Sequence, residues 1–394
     1  MGWVTHASNL ATFVAGLARI GAQSAPLRRW YLANRLRQLS VRAEYALRTD
    51  GVSAPPRSVS LRATYLCNAR CRMCHYANSV DPDNGQPITR RADIIDLDVA
   101  IRLVDALAPS HTMLSITGGE PLVWGEELFE LLDYCRRRCV ATSVTTNGTL
   151  LGRYLDDLLR APPDILCVSL LGPAPTHDRI VGLPAYERIQ GALLALQAHR
   201  DGDRWRAPAV ITNTVMLPDN SDVFAEVVPL SQTLGACGAS FQPLWFATAD
   251  MHQTCDDSRP PTDPAVAGAS GNLTPQATAP VALWRGMQRA RELSARLAHP
   301  VFFYPRLSQR DTRAYYDRPD QPLGRSRALC AHLLSNVLPD GAVSPCPGHV
   351  VGNLHEEGFL QIWNGPRMRA FRTRVRRAGM FPICSRCCSL WRNE

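Results

Sequence analysis

The stretch Cys67-Asn68-Ala69-Arg70-Cys71-Arg72-Met73-Cys74 limits what this chain can be more than any other feature. Three cysteines fall within eight residues, directly after the β-rich run from Val59 to Leu66. Thiolates crowded on one loop repel one another and are poorly solvated unless something cationic draws them together. Soft thiolate ligands select zinc, copper(I) or an iron–sulfur cluster. A closed zinc site or an ordinary four-thiolate cluster needs a fourth ligand nearby. Here three come together without one, which points to a cluster with one open iron. A structural zinc loop would use the same residues.

Thirteen cysteines in 394 residues, with clustered C-x2-C spacings, argue for metal binding rather than a disulfide scaffold. The net charge is +8, and all 43 basic residues are arginine. The absence of lysine excludes Schiff-base and lysine general-base chemistry. Arginine suits carboxylate and phosphate groups through its planar fork. No compact basic run interleaves with aromatics, so no nucleic-acid partner is expected. Residues Leu10 to Ala18 are apolar, but no basic region precedes them and Arg19 follows. That is neither a signal peptide nor a membrane span. A cluster with open coordination needs a reducing compartment, and the cytoplasm is expected.

Taken in order, residues 1–57 read as a helical N-terminal extension. Its second helix, from Pro26 to Arg48, places Leu32, Leu36, Leu39, Ala43 and Leu47 on one stripe among arginines. Such a helix can lie on an anionic membrane; packing of the stripe against its own domain is the expectation. Residues 58–250 alternate short β-rich runs with helical stretches. The strands are Val59–Thr64, Met113–Thr117, Ala141–Thr146, Ile165–Leu170, Ala209–Met216 and Ala239–Leu244. Strand–helix alternation predicts parallel β/α units, an α/β fold with its chemistry at the carboxyl ends of the strands. Residues 251–282, rich in Pro, Ala, Ser and Thr, read as a linker, and 283–394 as a C-terminal domain with its own cysteine pattern.

Motifs fall at the predicted strand ends. Ser115-Ile116-Thr117-Gly118-Gly119-Glu120-Pro121 closes the second strand. Its glycines allow close approach of a ligand to the backbone, and Glu120 can accept from an ammonium group. Ser143-Val144-Thr145-Thr146-Asn147-Gly148 closes the third, and Val168-Ser169-Leu170-Leu171-Gly172-Pro173 the fourth. His177-Asp178 follows and is expected to cap a helix rather than transfer a proton. In the tail, Cys330 precedes Gly341 and Cys346, with Pro339-Asp340-Gly341 as a hairpin turn, and Cys384-Ser385-Arg386-Cys387-Cys388 comes near the end.

This set resembles the radical S-adenosylmethionine (radical SAM) superfamily over roughly residues 59–390. The resemblance implies a partial (β/α)6 barrel. Cys67, Cys71 and Cys74 would hold a [4Fe–4S] cluster whose open iron chelates SAM. Gly118, Gly119 and Glu120 would contact the SAM amino group, and Thr145, Asn147 and Ser169 would line its pocket. Met73 and Tyr76 would lie by the adenine, and Asn213 is a further SAM-pocket candidate. Gln242 and Trp245 would face substrate. The family often has Asp where this chain has Leu171, so any role of that carboxylate is absent. The tail resembles the SPASM/twitch extension and implies an auxiliary [4Fe–4S] cluster on Cys330, Cys346, Cys384 and Cys387, with Cys388 as a substitute. A structural zinc site would take the same four cysteines.

The implied reaction is reductive cleavage of SAM to a 5′-deoxyadenosyl radical, which abstracts a substrate hydrogen. An outside reductase such as flavodoxin or ferredoxin would supply the electron. The auxiliary cluster suits an oxidation, making the protein a radical SAM oxidoreductase. A small natural-product intermediate, a sugar or aminocyclitol undergoing dehydrogenation or epimerisation, ranks first as substrate. A ribosomally made peptide ranks second and a lipid third, with a non-enzymatic metal-binding protein as the contrasting class. Cys135, Cys139, Cys167, Cys237 and Cys255 remain, any of which could donate hydrogen to a substrate radical.

Overall fold

A computed structural model describes residues 24–74, 94–202, 207–246, 279–318, 323, 327–346 and 349–387. Six strands run parallel in sequence order: β1 (Ser58–Thr64), β2 (Met113–Gly118), β3 (Thr142–Thr146), β4 (Ile165–Ser169), β5 (Ala209–Met216) and β6 (Gly238–Pro243). Helices follow the strands: α2 (Leu97–Leu107), α3 (Glu126–Arg137), α4 (Leu155–Arg160), α5 (Ala174–Val181), α6 (Tyr186–Gly202) and α7 (Val227–Thr233). Right-handed crossovers between sequentially ordered parallel strands put these helices on one face of the sheet. That face is apolar: Leu61, Ile116, Val144, Leu166 and Phe241 are buried together with Leu103, Leu128 and Ile189 of the helices.

The other face differs. Near the carboxyl ends of the six strands it carries Arg62, Thr117, Thr145, Ser169, Asn213 and Gln242, all half-buried. A closed (β/α)8 barrel fills its interior with branched apolar side chains. Here the inner face is polar and partly open, which leaves room for ligands.

The sheet is larger than six strands. After α8 (Pro280–Leu297), β7 (Val301–Phe303) pairs parallel with β6. On the far edge β8 (Leu334–Val337) pairs parallel with β1, and β9 (Ala342–Ser344) and β10 (Gly352–Asn353) continue antiparallel from it. The Pro339-Asp340-Gly341 turn forms as its residues predict, with Gly341 at φ +80° and Asp340 accepting from the Ala342 N–H at 3.0 Å. The C-terminal region is thus sewn into the barrel sheet through β8, and β7 is a strand too short for its sequence pattern to signal.

The N-terminal helix α1 (Ala25–Leu47) starts on a Ser24 cap and crosses the amino ends of the strands. Leu27 packs with Met113, Ala141 and Ala209, at the bottoms of β2, β3 and β5. Trp30 Nε1 donates to Arg57 O at 3.0 Å, and Arg37 donates to Glu44, to Ser53 Oγ and to His332 O. These bonds decide how the helix is rotated, and they overturn the expected packing of its leucine stripe. Leu27, Asn34, Val41 and Tyr45 are buried, while Leu32, Leu36, Leu39 and Leu47 are 66%, 70%, 77% and 80% exposed. The first predicted helix lies outside the described residues. No described helix is long and apolar enough to cross a membrane.

Candidate active site

The cysteine loop leaves the carboxyl end of β1 and is strapped from two sides. On one side, Gly119 N donates to Thr64 O and Glu120 N to Leu66 O, both at 2.7 Å. A Cβ at Gly119 would come inside 3.0 Å of the Leu66 carbonyl, and Gly118, at φ +138°, is equally tight against Thr64 O. The two glycines are therefore required by the approach of β2 to the cysteine loop itself. On the other side, Arg70 N and Arg72 N donate to Val181 O and Ile180 O at the end of α5, at 3.0 and 3.1 Å. The loop is fixed by backbone bonds before any ligand contributes.

Glu120 is fully buried. Its carboxylate accepts from Leu122 N at 3.0 Å, Thr146 Oγ1 at 2.7 Å and Asn147 N at 2.7 Å. Burial pushes its pKa up to about 7, against the pull of those donors. It thereby ties the turn after β3 to the end of β2. Asn147 in turn donates through Nδ2 to Asn68 Oδ1 at 2.9 Å and towards Cys67 Sγ at 3.7 Å. Thr149 and Asn68 complete the ring, with Asn68 Nδ2 on Thr149 Oγ1 at 2.8 Å. A Glu120→Gln variant can keep an oxygen for Leu122 N and Thr146 Oγ1 but then sets its NH2 against the Asn147 N–H. It is expected to lower stability by about 2 kcal/mol, measured by chemical unfolding, and to loosen Asn147 from Cys67.

The thiols fit a cationic partner. Burial, with smaller contributions from neighbouring Cys74 and Glu120, pushes Cys67 up to about 11 and Cys71 to about 12. Metal ligation requires the thiolate, so this pocket favours a strongly cationic group shared by several sulfurs over isolated anions. The Ala69 N–H, 3.5 Å from Cys67 Sγ, and Asn147 Nδ2 supply donors to the sulfur. Among the described residues, no three Cys, His, Asp or Glu side chains form a site for a single metal ion.

The remaining predicted residues sort by the pleat. Thr145, Ser169, Asn213 and Gln242 all lie on the open inner face, and Ser169 pairs in register with Asn213. Arg62, on the same face, was not singled out from the sequence; the alternation Ser58-Val59-Ser60-Leu61-Arg62 is the signal that marks it. Met73 is half-buried against the core. Trp245 follows β6, with its Nε1 buried and without a hydrogen-bond partner. Tyr76, Cys255 and Cys388 lie outside the described residues. Asp178 accepts from Ala185 N and Tyr186 N, capping α6 as expected. His177 Nδ1 accepts from Leu171 N at 3.1 Å, and burial pushes its pKa down to about 4, so it is a neutral structural acceptor.

The C-terminal cysteines gather around α11 (Pro366–Ala378), which follows the short helix α10 (Phe359–Trp363). His349 N donates to Cys346 O, and its ring stacks on Phe371 at 4.5 Å. Phe371 packs on Phe381, whose carbonyl receives Cys384 N at 2.9 Å, and Cys387 N returns to Cys384 O. Ala328 N donates to Gly379 O, bringing Cys330 to the same region. Arg386, between Cys384 and Cys387, is buried and donates to Tyr315 O and Ala314 O on α9 (Gln309–Asp317). The Tyr315 hydroxyl bridges Arg386 O and Leu244 O, linking this loop to the end of β6.

A family model described as the radical SAM superfamily matches residues 61–228, and one for the iron–sulfur cluster-binding SPASM domain matches residues 331–388. Residues 61–228 are thus a radical SAM domain, and residues 331–388 a SPASM domain. The chain carries the two domains that indicate [4Fe–4S] clusters and SAM as cofactors. The AdoMet-dependent heme synthase of Methanosarcina barkeri is 31% identical to it over 185 residues, 46% of this chain and 48% of that protein. The serine-type anaerobic sulfatase-maturating enzyme of Bacteroides thetaiotaomicron is 27% identical over 161 residues, 38% of this chain and 37% of its own. The chain thus spans about half or less of the length of these relatives. Among solved structures, Streptococcus suis SuiB bound to S-adenosylmethionine aligns with TM-score 0.58 at 15% identity, covering 85% of this chain and 72% of SuiB. Native anSMEcpe with bound AdoMet aligns with TM-score 0.52 at 16% identity, covering 80% and 82%. These likenesses are of fold.

Proposed function

We propose that the protein is a radical SAM oxidoreductase acting on a small hydroxylated natural-product intermediate, a sugar or aminocyclitol, by dehydrogenation or epimerisation. The observation that carries this reading is the polar inner face, where Thr117 and Gln242, beside the residues assigned to SAM, offer a hydroxyl and an amide at the carboxyl ends of the strands. Cys67, Cys71 and Cys74 would hold the SAM-binding cluster, and Cys330, Cys346, Cys384 and Cys387 the auxiliary one. Bound there, the first cluster and SAM supply one-electron chemistry that removes hydrogen from an unactivated C–H bond.

The chain's own residues position and shield. Asn147 and the Ala69 N–H steady Cys67, Glu120 holds Asn147, and the Gly118-Gly119 contact fixes the loop's distance from β2. Met73, Thr145, Ser169 and Asn213 are assigned to SAM, Gln242 and Trp245 to substrate. Arg386 and Tyr315 tie the Cys384–Cys387 loop to the end of β6, and an auxiliary cluster held there would take up the surplus substrate electron. An outside reductase would deliver electrons to the first cluster.

A second reading, modification of a peptide, is favoured by the sulfatase-maturating relatives. Anaerobic reconstitution tests both. About eight irons per chain are expected, with 5′-deoxyadenosine formed after dithionite and SAM are added. A Cys330→Ala/Cys346→Ala variant keeps about four irons and still cleaves SAM. Stimulation of 5′-deoxyadenosine formation by a sugar or aminocyclitol panel supports the first reading; stimulation by serine- or cysteine-containing peptides alone replaces it with the second. Stoichiometric zinc and no SAM cleavage would sink both.

A further inference from the structure

The outward face of α1 has no partner within the described structure, although it is built like an interface. Leu32, Leu36, Leu39, Ala43 and Leu47 recur at intervals of four, three, four and four residues, one continuous stripe along the helix. At 1.5 Å per residue the stripe is roughly 22 Å long. Its leucines are among the most exposed large apolar side chains described. The helix cannot roll to hide them, because Leu27, Trp30 and Arg37 lock the opposite face onto the barrel.

Charge identifies what covers the stripe. Arg28, Arg35 and Arg42, two turns apart and all exposed, run along one flank, and Arg29 sits on the other. No Asp or Glu occurs among residues 1–43. The first acidic residue, Glu44, is held by Arg37 at 2.8 Å and by Ser53. A second copy of this helix would bring arginines to arginines, with no carboxylate left to answer them. The complementary surface is apolar and anionic.

We propose that this face of α1 docks on an anionic lipid bilayer. Leucines enter the acyl boundary while the bordering arginine stems let their guanidinium groups reach lipid phosphates. The contact is peripheral, since no described helix could span a bilayer. It also sets an orientation. α1 covers the amino ends of the strands, and the cysteine loop leaves their carboxyl ends, so the reactive end of the barrel faces away from the membrane. The enzyme would work at a surface on a substrate from the aqueous side.

The test uses the full-length reconstituted holoenzyme and sucrose-loaded vesicles, and its readout does not depend on substrate. One set is phosphatidylcholine; the other contains about one quarter phosphatidylglycerol. Wild type is expected to sediment with the anionic vesicles only, and to be released as salt rises from about 0.05 to about 0.5 M. Leu36→Glu/Leu39→Glu should weaken partitioning at least tenfold and Arg35→Gln/Arg42→Gln several-fold. Both should keep the wild-type iron content, thermal midpoint and SAM cleavage, because all four side chains are exposed. Equal binding to both vesicle types, full binding by the leucine variant, or no vesicle binding at all overturns the proposal. A dimer that Leu36→Glu/Leu39→Glu converts to monomer, without vesicle binding, assigns the face to a second copy instead. An acidic protein retained by wild type and lost in that variant, again without vesicle binding, assigns it to a protein partner.

Discussion

Replacing Cys67, Cys71 and Cys74 together by alanine is expected to remove about four irons per chain and reduce 5′-deoxyadenosine formation to background. The fold should persist. The loop is held by Gly119, Glu120, Arg70 and Arg72 through backbone bonds to Thr64, Leu66, Val181 and Ile180, none of which uses a thiol. Apo stability should change little, because desolvation keeps Cys67 and Cys71 as neutral thiols, half-buried small apolar groups that alanine replaces at modest cost. The comparison that matters is with the Cys330→Ala/Cys346→Ala variant, which should lose a similar amount of iron yet still cleave SAM. If both variants lose cleavage equally, the division of labour between the two cysteine sets is wrong. Iron and sulfide analysis with product quantification decides it.

Gly119→Ala is the second large effect. The added methyl would sit inside the Leu66 carbonyl, and the obstacle is backbone, so no side chain can swing aside. Relief requires β2 and the start of the cysteine loop to separate, which breaks the bonds from Gly119 N to Thr64 O and from Glu120 N to Leu66 O. Losing two buried backbone hydrogen bonds and the packing around them should lower stability by about 3 kcal/mol or more. Glu120 would move with the loop, and with it Asn147 and Cys67. Chemical unfolding and cluster occupancy should therefore fall together. A variant with normal stability and full iron content would show that the glycines serve a ligand alone.

Much of the barrel was legible in the sequence because each β/α unit carries its own period. The β5 bounds Ala209–Met216 follow from a run rich in β-branched residues, and the α2 bounds Leu97–Leu107 from a buried helical stripe. The cysteine spacings are local too, so both constellations could be read without a fold. β7 was missed because three residues carry no period. The partnership of β8 with β1 was not readable either, since it joins residues 276 apart, as Ser58 with Leu334, and no local pattern encodes which edge a strand will extend.

The site divides the same way. The motif Thr117-Gly118-Gly119-Glu120 announces a close approach, but only the fold reveals that the approaching partner is the chain at Thr64 and Leu66, and that Glu120 is committed to Leu122, Thr146 and Asn147. Helix α1 makes the point most sharply. Its sequence contains two faces that could be buried, and the leucine stripe is the more apolar, so periodicity alone chooses it. The structure buries the other, because Trp30, Arg37 and Leu27 find partners at Arg57, His332 and the strand bottoms. The sequence by itself determined the six β/α units and the likeness to the two domains, because each is written in local periods and spacings. Tertiary structure alone decided which faces meet, because burial depends on the specific partner waiting across the gap.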